Sequence, residues 1–157
     1  MPKKILIAMD ESENALRAVE FVGKNMQPDA SVTLFSVLLD TEAMCAMQGA
    51  GLTPYFVSQQ SSFCTLEDKK KEIVSQAQQK AKQMLVQNNF KEADINTKAI
   101  VREKGIARDI IKEAKSGDYS LIVLGKQGLS GFKDFVLGSI TQKVIHGTSG
   151  ISVLLID

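Results

Sequence analysis

Histidine occurs once in the 157 residues, cysteine twice and proline three times, and basic side chains outnumber acidic ones by a single charge. Each scarcity removes a class of function. His146 is alone, and Cys45 and Cys64 stand at no metal-ligand spacing, so a dedicated zinc site has no ligand set. A lone histidine near the end of a helix is explained by the helix dipole before any catalytic role. With 19 Lys plus Arg against 18 Asp plus Glu, the chain has no basic excess of the kind that drives nucleic-acid binding through counterion release. Its densest basic stretch, "DKKKE" at 68–72, is flanked by acids and reads as a solvated helix start. Long apolar runs are missing too. "MPKKILIAMD" meets Asp10 too soon for a signal peptide or a membrane span. The expected compartment is the cytoplasm, with no membrane partner; the two cysteines permit one disulfide or two free thiols, and thiols are the default there. No repeat or low-complexity segment competes with a single domain over 1–157, with a variable excursion at about 38–66.

What is present suits a packed globular core. Apolar residues make up 44% of the chain and charged residues 24%, an ordinary balance, and a chain of this size buries roughly two thirds of its unfolded surface. Four runs are apolar throughout: "KKILIAM" (3–9), "SVTLFSV" (31–37), "YSLIVLG" (119–125) and "ISVLLI" (151–156). They read as strands covered on both faces. A fifth, "ADINTKAIV" (93–101), alternates, with Ile95, Thr97, Ala99 and Val101 on one side, as an edge strand does. Between them the period changes to that of helices. Ala15, Ala18, Val19 and Val22 share a stripe behind Ser12 as N-cap, and Pro28 closes that helix. A helix at about 67–88 would bury Ile73, Ala77, Ala81, Met84 and Leu85; "GIARDIIKEAKSG" would turn Ile106, Ile110 and Ala114 inward; a last one from Gly138-Ser139 would bury Ile140, Val144 and Ile145. From Leu38 to about Leu66 the periodicity weakens, and a long excursion with room for one short helix is expected. Met44, Met47, Phe56 and Phe63 there suit a satellite core or a dimer cover. The alternation implies an α/β fold: an open, mostly parallel five-stranded sheet with helices on both faces.

The candidate chemistry lies in "GKQGLSGFKDFVLGS" (125–139). In such sheets ligands bind beyond the carboxyl ends of the strands, where the strand order reverses. Gly125 ends a strand at that edge, and so does Asp10. Residues without Cβ let backbone amides approach an anion. Gly138 and Ser139 would open a helix whose first amides have no internal partner, and the Ser139 hydroxyl adds a donor. Two such donor clusters could clamp a di- or triphosphate, with Lys126 and Lys133 adding charge. The plain alternative is that the glycines only turn the chain, that Ser139 caps its helix, and that Asp10 competes with Ser12 as an N-cap. Two well-known phosphate loops are excluded. A Walker A loop needs Lys and Ser/Thr directly after its last glycine, and a dinucleotide fingerprint should follow the first strand, which here leads into "DESENA".

This stretch resembles the G-2x-G-9x-G-(S/T) signature of the universal stress protein family, on the branch that binds ATP. "AMDES" is similar to that family's first strand and turn, "GIARDIIKEAK" to the opening of its third helix, and "SLIVLG" to its fourth strand. The resemblance implies strand order 3-2-1-4-5 and an adenine nucleotide alpha hydrolase-like fold. It implies that Asp10 accepts a hydrogen bond from the adenosine portion and that the backbone around Val37 lines adenine. Gly125 and Gly128 would meet the ribose or α-phosphate side. Gly138 and Ser139 would bind the outer phosphates, with Thr141 assisting, and Val101 and Gly105 would form the pocket rim. The implied ligand is ATP, or ADP or AMP, with Mg²⁺ or Mn²⁺ held through phosphate oxygens. The implied partner is a second copy, joined through the last strand, 151–156. Two departures concern loop rigidity: Ala107 stands where members often have Pro, and "HGTSGIS" lacks the usual Cys-Pro. The expected function is that of a nucleotide-binding stress or switch protein. One rival is a weak ATP hydrolase, for which Asp10 and Lys126 are the only candidates to orient water or stabilise the phosphoryl group. The other is a nucleotide-free interaction protein of the same fold, against which the glycine signature argues.

Overall fold

The structure, a computed structural model, describes residues 3–39, 54–126 and 138–157. Along the chain run β1 (Lys4–Ala8), α1 (Glu13–Asn25), β2 (Ser31–Leu38), α2 (Pro54–Gln87), β3 (Ile95–Val101), α3 (Ile106–Ser116), β4 (Leu121–Gly125), α4 (Ser139–Gly147) and β5 (Ser152–Ile156). The strands form one parallel sheet in the order β3-β2-β1-β4-β5, as the family resemblance implied. Period-two alternation divides the core. Ile5 and Ile7 of β1 point to one face, under α1 and α2, while Leu6 points to the other, with Phe35 and Ile122 under α3 and α4. Because both faces are covered, the central strands are apolar without interruption. Fully burying each such side chain contributes about 1.5–3 kcal/mol relative to exposure.

Helix α1 begins where the Ser12 hydroxyl accepts the Ala15 amide at 3.2 Å, with Glu13 in its first turn. It ends just before the restriction that Pro28 places on Gln27. Helix α3 ends at Gly117, as its sequence requires.

Several expectations need correction. Helix α2 begins at Pro54 rather than near 67, so "DKKKE" lies in its interior. Proline is favourable in a first turn, and neither glycine nor proline interrupts 55–87. Its inward stripe also differs: Val74, Gln78, Ala81 and Leu85 are buried, whereas Ile73 is 49% exposed. The cause is polar. Gln78 Nε2 donates to the Leu34 carbonyl, the Ser36 hydroxyl and the Lys98 carbonyl, at 3.3, 2.9 and 3.1 Å, so a satisfied amide occupies a place that hydrophobic periodicity assigns to an apolar residue. In α4, Thr141 and Val144 face inward and Ile140 and Ile145 are partly exposed. On β3 Ile95 is buried and Ile100 half-buried, while Thr97, Ala99 and Val101 are exposed, against the expected inward row. Cys64 is disulfide-bonded, against the expectation of thiols. That expectation came from compartment, which does not fix which sulfurs a fold brings together. Cys45, Met44 and Met47 lie outside the described residues.

At the amino end of the sheet the polar groups close on one another. The Tyr119 hydroxyl donates to Thr33 Oγ1 at 3.0 Å and reaches Glu113 at 3.3 Å. Lys98 pairs with Glu113 at 2.7 Å, and Lys4 donates to the Gly117 carbonyl at 2.9 Å. Burial, above all, raises the Tyr119 hydroxyl above its ordinary titration range, and the hydrogen bond to Glu113 raises Lys98.

Candidate functional site

The chain runs from β1 outward through β2 to β3, then returns to the other side of β1 as β4, so the order reverses between β1 and β4. Beyond their carboxyl ends lies a cavity of about 330 Å³. Its floor is apolar, from Ala8, Phe35, Ile110 and Leu124. Its polar groups stand at separate places.

Asp10 stands on the turn after β1. That turn is tied to β2 by the Met9 amide on the Phe35 carbonyl at 2.9 Å and by the Ser36 hydroxyl on the Met9 carbonyl at 2.8 Å. One oxygen of Asp10 accepts the Ser12 amide at 2.8 Å. Asp10 therefore shapes the approach to α1 while Ser12 caps the helix, and a carboxylate retains acceptor capacity beyond this one bond. Val37, near the end of β2, lines the same cavity.

The opening of α4 supplies the other polar group. Its amides at Ser139, Ile140 and Thr141 belong to the unsatisfied first turn of a helix, and no side chain caps it at Gly138. Ser139 lines the cavity from an exposed position and Thr141 from a buried one; among the described residues the Thr141 hydroxyl has no hydrogen-bond partner.

The two described glycines here differ. A Cβ on Gly125 would lie 3.2 Å from Asn14 Cβ and 3.4 Å from the Asn14 carbonyl group, so the close approach of α1 to β4 accounts for this glycine. A Cβ on Gly138 would meet its nearest atoms among the described residues, the Lys126 carbonyl and Thr141 Oγ1, at 3.9 and 4.0 Å. Its φ of −55° and ψ of 150° suit any residue. Among the described residues, internal packing explains Gly125 and leaves Gly138 unexplained.

Of the residues singled out from sequence, Asp10, Val37, Gly125, Gly138, Ser139 and Thr141 converge on this cavity. Lys126 does not line it; its ammonium lies 3.8 Å from Asp157, and its amide donates to the Ile156 carbonyl at 2.7 Å. Val101 and Gly105 also stand off the lining, where α3 instead contributes Ile106 and Ile110. Buried Asp109 accepts the amides of Glu103 and Lys104 at 2.9 and 3.2 Å and so fixes the turn that delivers Ile106. Ile106 and Ile110 were legible only as core residues, because their cavity role depends on topology. Gly128 and Lys133 lie outside the described residues. Among the described residues no cluster of three His, Cys, Asp or Glu side chains is placed to hold a metal ion, and no helix is long and apolar enough to cross a membrane.

The universal stress protein family matches residues 1–156. The chain belongs to that family. A curated relative, universal stress protein YxiE of Bacillus subtilis (strain 168), is 29% identical over 151 residues, 92% of each chain. Among solved structures, the hypothetical protein MJ0577 matches with a TM-score of 0.73 at 25% identity, over 99% of this chain and 96% of that one. A universal stress protein in complex with cAMP matches with a TM-score of 0.62 at 17% identity, over 98% and 95%. One from Archaeoglobus fulgidus in complex with dAMP matches at 0.58 and 18%, over 100% and 98%. At these last two identities the likeness is one of fold.

Proposed function

We propose that the cleft binds ATP, or ADP or AMP in its place, and that this universal stress protein acts as a stress-response binding or switch protein rather than an efficient enzyme. The observation that carries this reading is Gly138: an uncapped helix start at the cavity, where among the described residues a side chain would meet only ordinary van der Waals contacts. Helix amides in that position attract a phosphate. Gly138, Ser139 and Thr141 receive the outer phosphates, and Gly125 and Gly128 meet the ribose or α-phosphate side. Asp10 accepts a donor from the nucleoside, and the backbone at Val37 lines the base, with Val101 and Gly105 at the rim. A cavity of about 330 Å³ is within the range of about 300–1,000 Å³ usual for small-molecule sites. The distant relatives in complex with cAMP and dAMP support an adenine nucleotide as the ligand class.

Lys126 joins the phosphates by leaving Asp157, an exposed carboxylate; surface pairs of this kind contribute only about 0–1 kcal/mol. Mg²⁺ or Mn²⁺ arrives on the phosphate oxygens. The protein works in the cytoplasm as a homodimer joined through β5, the sheet edge where Val153, Leu154 and Leu155 are half-buried. Calorimetric titration with ATP, with and without Mg²⁺, tests the reading. Saturable binding below millimolar nucleotide is expected, and its absence rejects the proposal.

A further inference from the structure

A second cavity, of about 200 Å³, adjoins the first, and the two share Met9, Asp10, Val37 and Ile106 as common lining. Its far wall comes from the middle of α2, where Lys70, Lys71 and Val74 line it opposite the end of β2. Lys70 is half-buried and Lys71 exposed, and neither makes an ion pair among the described residues. Ammonium groups beside a cavity and without a carboxylate partner favour the entry of an anion.

The opposite wall is acidic, from Asp10 and Glu11. One Asp10 oxygen is already engaged by the Ser12 amide at 2.8 Å, and the acids make no ion pair with the lysines. One wall therefore accepts hydrogen bonds and the other donates them. A phosphorylated sugar matches both, with hydroxyl groups for the carboxylates and phosphate oxygens for the ammonium groups. The cavity falls short of the roughly 300 Å³ that begins the range for whole ligands, so it fits an extension of a molecule held next door.

We infer that this second cavity receives a phosphate carried on the ribose ring, so that the preferred ligand is an adenine nucleotide phosphorylated both at its 5′ end and on its sugar. The inference rests on the proposed orientation of the nucleotide, with the nucleoside at Asp10 and Val37 and the 5′ phosphates at Gly138. The shared wall is then the nucleoside end, and the lysines lie on the side away from the 5′ chain. Lys70 and Lys71 act as specificity-determining residues.

The test compares adenosine 3′,5′-bisphosphate with 5′-AMP by calorimetry on the whole protein. Wild type is expected to bind the bisphosphate about tenfold more tightly, the scale of one added charge-assisted contact. That preference should shrink as salt rises. Replacing Lys70→Gln and Lys71→Gln together should abolish the preference and leave AMP affinity as it was. Equal affinities in wild type, or a preference that survives the double substitution, would overturn the inference while leaving nucleotide binding intact. Failure of both ligands to bind would remove the nucleotide reading itself, and this inference with it.

Discussion

Gly117 and Gly138 stand at opposite ends of the same sheet, one closing α3 and the other opening α4. A Cβ on Gly117 would run into the Tyr119 ring and come 3.0 Å from the Glu113 carbonyl. Around it Lys4, Tyr119, Glu113 and Lys98 are joined by hydrogen bonds and an ion pair. Among the described residues, a Cβ on Gly138 would meet nothing closer than 3.9 Å. At the amino end a glycine serves the protein's own packing. At the carboxyl end no packing contact among the described residues accounts for the glycine, and the proposed reading assigns it to a ligand. Packed groups fix the strands; in the proposed reading, the donors at the other end are left to a ligand.

The largest effect should come from Gly138→Asp. It places a carboxylate where phosphate is received, and ATP affinity should fall about a hundredfold or more, through like-charge repulsion of several kcal/mol. Aspartate is also a better N-cap than glycine, by a few tenths of a kcal/mol. The variant should therefore unfold at the same urea concentration as wild type or a slightly higher one. Loss of ATP binding with unchanged or increased stability separates a ligand-facing glycine from a packing one. A collapse in stability would erase the distinction.

Gly117→Ala should behave in the opposite sense. Displacing the Tyr119 ring costs about 1–3 kcal/mol, the usual penalty for overpacking, measurable as a lower urea midpoint. ATP affinity of the folded fraction should not change. A neutral Gly117→Ala would mean that the amino end is less tightly closed than its hydrogen bonds indicate.

Tyr119→Phe should cost about 1 kcal/mol at neutral pH, for loss of the hydroxyl's bonds to Thr33 and Glu113. Its pH behaviour sharpens the contrast. Tyr119 and Lys98 both titrate higher in the folded protein than their ordinary values of 10.0 and 10.5. Their contribution to stability is thus full below those values and is lost as pH rises through the higher folded ones. Wild-type urea midpoints should hold across neutral pH and fall above pH 10.0. The decline should be shallower in Tyr119→Phe. Equal alkaline slopes in the two proteins would remove Tyr119 from this account.

The architecture was legible in sequence wherever one period prevailed. The continuous apolar runs at 3–9, 31–37, 119–125 and 151–156 correspond to β1, β2, β4 and β5, and the alternating run to the edge strand β3. Helix faces were legible only until a polar group found a tertiary partner. Gln78 is buried because three acceptors await it on β2 and β3, and nothing local announces them. The start of α2 was missed because its first turns mix serine, glutamine and aromatic residues, a composition whose helical pattern is faint. At the cleft, the residues carried by local chemistry, Asp10 and Gly138-Ser139, stood out in advance. The walls from Ile106, Ile110 and Lys70 did not, since only the crossing of α2 and α3 over the sheet brings them to the carboxyl end.

Backbone amide shifts recorded by NMR during an ATP titration reach the central claim most directly. The account predicts that Ser139, Ile140 and Thr141 move together and saturably, with Asp10 following, while Gly117 and Tyr119 stay still. Saturable binding that leaves the amides of 139–141 unperturbed would contradict it.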